Sequence, residues 1–335
     1  MSKKKQAESK LVDFEDLFKS LEREFGEGAA RPITERKVQN VPRFSTGLLT
    51  LDEMLGGGMP FGRIVEIFGP ESSGKTSLCL SMVAAAQAQG ITTAFIDAEH
   101  ALDTLWAAKL GVDVPSMLFD QPMSGEKALS MVQALVKSGK VGLIIVDSVA
   151  ALTPLAEANG EIGEAHIGRL ARLMSQAMRM LSPLAAQNNT TIIFTNQIRM
   201  NIGVMFGSPE TTPGGNALKF FSSIRLDVRR TKVMDGDERT GDNIKLRLIK
   251  SKVSKPYQQA EIVLKYDEGF DLAQEILDLG VKYELVRKSG SWYYYGEIRM
   301  GQGEDQAKAW LLEHPSEYTE IRNKLLTLFA PKTLE

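Results

Sequence analysis

At 335 residues, the chain is long enough for one large domain with smaller appendages. Its composition is ordinary for a globular protein, and a formal charge of −2 leaves any nucleic-acid binding to local basic clusters. No apolar run reaches membrane-spanning length, Met1–Lys10 has no signal-peptide apolar core, and the single cysteine, Cys79, excludes an internal disulfide. A cytoplasmic protein without membrane association is therefore expected. The scattered His100, His166 and His314 make no zinc pattern.

In chain order, Leu11, Phe14, Leu17, Phe18, Leu21 and Phe25 recur at helical spacing, and Gly26 and Gly28 end the helix. A polar linker, Ala29 to Val41, follows. That single apolar stripe needs a partner surface, either its own domain or a neighbouring subunit. From about residue 45 to 270, strands alternate with helices. Arg63–Phe68, Thr92–Asp97, Gly142–Asp147 and Thr190–Thr195 read as strands buried on both faces of a parallel sheet. Ser223–Arg229, Asn243–Lys250 and Ala260–Tyr266 lie close together without helices between them and predict an antiparallel extension. Beyond 270 come a helix at Leu272–Leu279, an aromatic hairpin about Ser289-Gly290, and two helices separated by His314-Pro315. The fold class is α/β, with a mostly parallel central sheet, an N-terminal helix and linker (1–40), a core (41–270) and a small C-terminal α/β module (271–335).

Gly69-Pro70-Glu71-Ser72-Ser73-Gly74-Lys75-Thr76 fits the phosphate-cradling pattern G-x-x-x-x-G-K-[ST], with Ser77 opening the helix behind it. Gly69 and Gly74 let the chain turn where a Cβ would block it. The loop amides then converge on phosphate oxygens, Lys75 adds a positive charge, and Thr76 offers a hydroxyl for Mg²⁺. ATP with Mg²⁺ is the expected ligand pair. Asp147, ending the apolar strand Leu143–Asp147, is the second expected Mg²⁺ residue. Ligands in such sheets sit beyond the carboxyl ends of the strands. Glu99, past the strand ending at Asp97, is therefore a candidate for activating water, or else a surface carboxylate. Gln197, past Thr195, could sense a γ-phosphate.

Ile198–Gly215 combines flexible residues with Ile202, Val204, Met205 and Phe206, apolar groups that need a partner. Bases of an opened nucleic-acid strand would serve, and so would the protein's own core. Arg169, Arg172, Gln176 and Arg179 fall on one face of a helix, suited to a phosphate backbone or simply to solvent. In Ile244–Lys252 the apolar phase is Ile244, Leu246, Leu248. Lys250 and Lys252 continue it inward, where they would make sense reaching an anion at the strand's end.

Together these residues resemble the bacterial RecA recombinases across Leu11 to Leu328. The carrying segments are Gly69–Thr76, Phe95–Asp103, Asp147–Pro154, Asn196–Gly207, Pro209–Thr212 and Gly214–Phe220. The resemblance implies a P-loop NTPase core of RecA type and a filament on single-stranded DNA. It implies Mg²⁺-ATP-dependent homology search and strand exchange with homologous duplex DNA, in recombinational repair and the SOS response to DNA damage. It assigns Glu99 as catalytic, Gln197 as γ-phosphate sensor, and Lys250 and Lys252 as reaching ATP across the subunit interface. Asp103 and Trp106 fall at nucleotide positions, and Phe220 at an interface position. DNA-contacting positions include Arg169, Arg172, Arg179, Arg199, Met200, Ile202, Gly203, Val204, Met205, Phe206, Gly214 and Gly215. A repressor and a single-strand-binding protein are further implied partners. The N-terminal helix matches the one that docks on the next protomer, and the C-terminal module matches the family's duplex-capturing domain.

Three departures from the family pattern fit a phage-encoded or otherwise atypical member, or an engineered truncation. Trp106 replaces a stacking tyrosine, Ala30 falls near a larger interface knob, and the chain ends at Glu335 without an acidic tail. The last predicts looser control of duplex binding. A ring-forming, helicase-like motor and a regulatory ATPase remain as alternatives. Both would share the phosphate loop, but a ring would not need the Met205-Phe206 loop.

Overall fold

The computed structural model describes residues 16–26, 41–161, 166, 168–201, 208–236 and 238–330. The chain divides between Pro42 and Arg43 into two units. In the first, residues 16–25 form helix α1, closed by Gly26 at φ +91°. Leu17 and Phe25 are exposed on it. Leu11, Phe14 and Ala30 lie outside the described residues, as does the Glu335 terminus.

In the second unit, β1 (Arg43–Phe44) pairs with β2 (Met59–Pro60) around α2 (Leu49–Leu55). The alternating region follows as β3 (Ile64–Phe68), α3 (Lys75–Ala88), β4 (Thr93–Asp97), α4 (Thr104–Lys109), β5 (Leu118–Asp120) and α5 (Gly125–Lys137). It continues through β6 (Leu143–Asp147), α6 (Leu155–Ala158), α7 (Arg169–Gln187) and β7 (Thr191–Asn196). A two-stranded ribbon, β8 (Arg199–Met200) with β9 (Glu210–Thr211), precedes α8 (Ala217–Phe221). Then come β10 (Ile224–Asp235), β11 (Glu238–Ser251), β12 (Gln259–Lys265) and β13 (Gly269–Phe270).

These strands build one nine-stranded sheet of order β13-β12-β11-β10-β3-β7-β6-β4-β5. From β10 to β5 every pairing is parallel, and from β10 outward to β13 every pairing is antiparallel. β10 is thus the seam, parallel to β3 and antiparallel to β11. The short edge strand β5, whose Leu118 and Phe119 are exposed, lacked a sequence signal. The β10–β11 hairpin also runs on past the expected strand ends.

The central strands carry apolar side chains in both phases because both faces are covered. Val65, Ile67, Phe95, Leu143, Ile145 and Ile193 pack on one face with Leu78, Met82 and Val83 of α3. Ile64, Ile96, Ile144, Val146, Ile192 and Phe194 pack on the other with α5 and α7. Each fully buried side chain of this kind stabilises the fold by about 1.5–3 kcal/mol. Helix α7 follows the expected amphipathic pattern, burying Met174, Ala177 and Leu181 and exposing Arg172, Gln176 and Arg179. Ile167 lies outside the described residues.

The C-terminal elements are α9 (Leu272–Lys282), β14 (Arg287–Ser289), β15 (Trp292–Tyr295), β16 (Ile298–Gln302), α10 (Glu304–Glu313) and α11 (Pro315–Phe329). They share a third core with Leu49 of α2. Glu275 of α9 accepts from the Thr50 amide at 3.1 Å, near the N-terminus of α2, a helix that has no side-chain cap of its own.

Candidate functional site

Strand β3 runs straight into the phosphate-cradling loop, and α3 starts at Lys75. Gly74 is at φ +92°, a conformation that L side chains rarely adopt. A Cβ on Gly69 would meet the Val228 carbonyl oxygen of β10 at 2.1 Å. Both glycines are therefore required by the backbone path. Lys75 is buried, which lowers its pKa, and its Nζ donates to the carbonyls of Gly69 (3.2 Å) and Pro70 (2.7 Å). Among the described residues, the buried Ser73 hydroxyl has no hydrogen-bond partner. An orphaned hydroxyl and a desolvated ammonium within one loop are the residue chemistry that a polyphosphate satisfies.

The Thr76 hydroxyl donates to Asp147 Oδ2 at 2.7 Å, and the Thr195 hydroxyl donates to Asp147 Oδ1. Burial pushes the Asp147 carboxyl above its ordinary value and nearby Glu99 adds to this, while the two hydroxyls and Lys75 oppose it. A divalent cation would satisfy both the hydroxyl and the buried carboxylate, so the pair fits Mg²⁺. The peptide between Asp147 and Ser148 is cis. Ser148 then donates to Glu99 Oε1 at 2.5 Å, and Gln197 Nε2 donates to the same oxygen at 3.3 Å. The ends of β4, β6 and β7 thus converge on one carboxylate.

A cavity of about 440 Å³ gathers Glu71 to Ser77, Glu99, Trp106, Asp147 and Gln197. Trp106 is held by its indole N–H, which donates to the Ser77 hydroxyl at 3.0 Å. Asp103 does not line the cavity. Its carboxylate caps α4 by accepting from the amides of Leu105 and Trp106. Gly69 and Pro70 shape the loop from behind.

The cavity also holds Arg230, Asp242, Leu264 and Tyr266, which sequence reasoning missed. The signal was topological. Because β10 is parallel to β3, its far end lies beside the phosphate loop. Hairpin pairing then returns Asp242 and, through the Asp242↔Leu264 register, the end of β12 to that same edge.

Lys250 and Lys252 stand elsewhere, and the expected inward phase does not carry through to Lys250. A bulge between Leu248 and Lys250 pairs Lys250 with Arg225, whereas Leu248 pairs with Leu226. Lys250 therefore turns to the face opposite Leu248. Its Nζ donates to the carbonyls of Lys219 (2.7 Å) and Phe220 (3.0 Å), and Lys252 Nζ donates to Phe220 at 3.2 Å. Both lysines cap the C-terminal end of α8, outside the cavity. Phe220 itself is 70% exposed.

Of the expected DNA-contacting residues, Arg172, Arg179, Arg199 and Met200 are exposed and Arg169 is half-buried. Ile202, Gly203, Val204, Met205 and Phe206 lie outside the described residues. Gly214 and Gly215 adopt positive φ, and a Cβ would meet Val149 at 2.9 Å on Gly214 and Ala171 of α7 at 2.8 Å on Gly215. The far end of this loop is tied back to the sheet. Asn196 Nδ2 donates both to Pro213 O and to Glu66 Oε1, each at 3.0 Å, and Arg225 pairs with Glu66 at 2.5 Å. The residue before Gln197 thereby anchors the returning end of the loop that starts after Gln197.

Two family models match the chain. The RecA N-terminal domain matches residues 13–271, and the RecA C-terminal domain matches residues 274–330.

Proposed function

The chain belongs to the RecA family, and from that premise we propose that it is an ATP-dependent recombinase that assembles on single-stranded DNA and exchanges it with a homologous duplex. The observation that carries this reading is the convergence of Glu99, Ser148 and Gln197 beside the phosphate loop, at the root of the loop that begins at Ile198.

The loop amides and Lys75 hold the β and γ phosphates. Thr76 and Asp147 hold Mg²⁺, which supplies charge neutralisation to the phosphate oxygens. Glu99 orients the attacking water and accepts its proton, and Trp106 offers its ring to the base. Gln197 exchanges its bond to Glu99 for one to the γ phosphate and passes that change into the loop behind it. Lys250 and Lys252 face away from their own cavity and reach the nucleotide of a neighbouring protomer, with Phe220 in the same interface.

DNA is held through phosphates by Arg169, Arg172, Arg179 and Arg199, and by generic contacts from Met200, from Ile202 through Phe206, and from the Gly214-Gly215 turn. Base pairing then reads the sequence. The N-terminal helix and its linker (1–40) link protomers, the core (41–270) hydrolyses ATP, and the C-terminal module (271–335) engages duplex DNA. Repair after DNA damage in the cytoplasm, with a repressor and a single-strand-binding protein as partners, is the cellular setting this predicts.

The test is ATP hydrolysis with and without single-stranded DNA. Stimulation of tenfold or more supports the reading, and hydrolysis indifferent to DNA overturns it.

A further inference from the structure

Asp242 occupies a position where the fold would accept an apolar residue. It shares the face of Ile244, Leu246 and Leu248 on β11, all fully buried, and is itself 4% exposed. Burying a carboxylate there costs free energy unless it is paired and hydrogen-bonded. The pairing is complete. Tyr266 donates its hydroxyl to Asp242 Oδ2 at 3.1 Å, Arg230 Nη1 meets the same oxygen at 3.2 Å, and Arg239 takes Oδ1. Burial raises the carboxyl's pKa, but Arg239, Tyr266 and Arg230 together hold it below its ordinary value.

Arg230, Asp242 and Tyr266 all line the cavity that holds the phosphate loop. Its aromatic lining residues are Trp106 and Tyr266, which come from opposite sides of β3 in the sheet order. Tyr266 is 39% exposed, so core packing does not immobilise its ring. Its anchors are the hydroxyl bond to Asp242, its backbone amide bond to Thr240 (3.1 Å), and the Arg239 guanidinium 5.6 Å from its ring centroid. Lys75 and the loop amides draw the phosphates to one part of the cavity, and the aromatic side chains of Trp106 and Tyr266 suit the uncharged base.

We propose that Asp242 is a positioning residue for the nucleotide. By holding the Tyr266 hydroxyl it fixes the aromatic wall that reads the base, and so lets the site favour a nucleoside triphosphate over bare triphosphate. This rests on the nucleotide-binding reading above and adds a residue to it.

The test uses the full-length chain and measures binding of ATP and of inorganic tripolyphosphate, each with Mg²⁺, by calorimetry. Asp242→Ala and Tyr266→Phe should each weaken ATP about tenfold and change tripolyphosphate less than twofold. The double variant should be no weaker than the worse single one, because both remove the same bond. Asp242→Asn keeps an acceptor for the hydroxyl and should recover most of the loss. Tyr266→Phe keeps the ring and removes one oxygen, so it remains informative if Asp242→Ala fails to fold. Equal weakening of both ligands, additive losses, or unchanged ATP binding in Tyr266→Phe each overturn the proposal. Wild-type protein that binds neither ligand overturns the nucleotide reading itself.

Discussion

Gln197 donates its side-chain amide to Glu99 at 3.3 Å, although the two residues follow strands that are not neighbours. β6 lies between β7 and β4, and it contributes Ser148 to the same carboxylate oxygen. One hydrogen bond therefore connects Glu99 to the residue at the root of the loop that begins at Ile198.

Glu99→Gln keeps the shape of the side chain and removes its basicity. Hydrolysis of ATP should fall by about 10²–10⁴-fold, while ATP and single-stranded DNA binding stay within a fewfold of wild type. Wild-type turnover would remove Glu99 from its role.

Lys250→Ala and Lys252→Ala should leave nucleotide binding to isolated protomers intact, because neither lysine lines its own cavity. DNA-stimulated hydrolysis should fall at least tenfold. Mixing either variant with Glu99→Gln protein discriminates further. A recovery of activity would show that the lysines act on the neighbour's nucleotide. No recovery at any mixing ratio counts against it.

Gly69→Ala tests the backbone approach of the phosphate loop. The added Cβ would meet a main-chain oxygen of β10 at 2.1 Å, which cannot rotate away as a side chain would. The loop must shift, so ATP affinity should drop by about 100-fold or more, and the unfolding free energy by about 1–3 kcal/mol. Near wild-type binding would mean that β10 yields freely.

Glu275 provides a pH prediction. It is 5% exposed, and burial raises its pKa to about 7, with Asp52 adding to the shift and the Thr50 amide and hydroxyl and the Leu49 amide opposing it. Tyr318 of α11 also faces it. A carboxyl whose folded pKa is raised binds its proton more tightly when folded. Its contribution is therefore fully present below the unfolded value near 4.5 and is lost as pH rises through about 7. Relative to wild type, Glu275→Gln should gain stability between pH 5 and 8, by up to about 3 kcal/mol. Denaturant unfolding at both pH values checks this, and a pH-independent difference would contradict it.

Much of the site was legible in the residues. The spacing from Gly69 to Thr76 and the apolar run ending at Asp147 have local physical causes: a turn that excludes Cβ and a strand buried on both faces. Amphipathic α7 was legible for the same reason, since a period of 3.6 residues leaves its mark on the chain. Lys250 shows the limit. Its inward phase assumed unbroken alternation, but a bulge is an agreement between two strands and has no signature in one of them. Asp103 shows another, because the acceptor that suits a ligand equally suits the open end of a helix.

By itself the sequence determined the long strands of the central sheet, the phosphate loop and the chemistry of Lys75, Thr76, Asp147 and Glu99, because periodicity and turn chemistry act over a few residues. The tertiary structure alone decided which distant groups share the cavity. Arg230, Asp242 and Tyr266 reach it because β10 lies parallel to β3 and folds back through two antiparallel turns. That arrangement is set by which faces must be buried against one another, a condition on the whole sheet that no single segment carries.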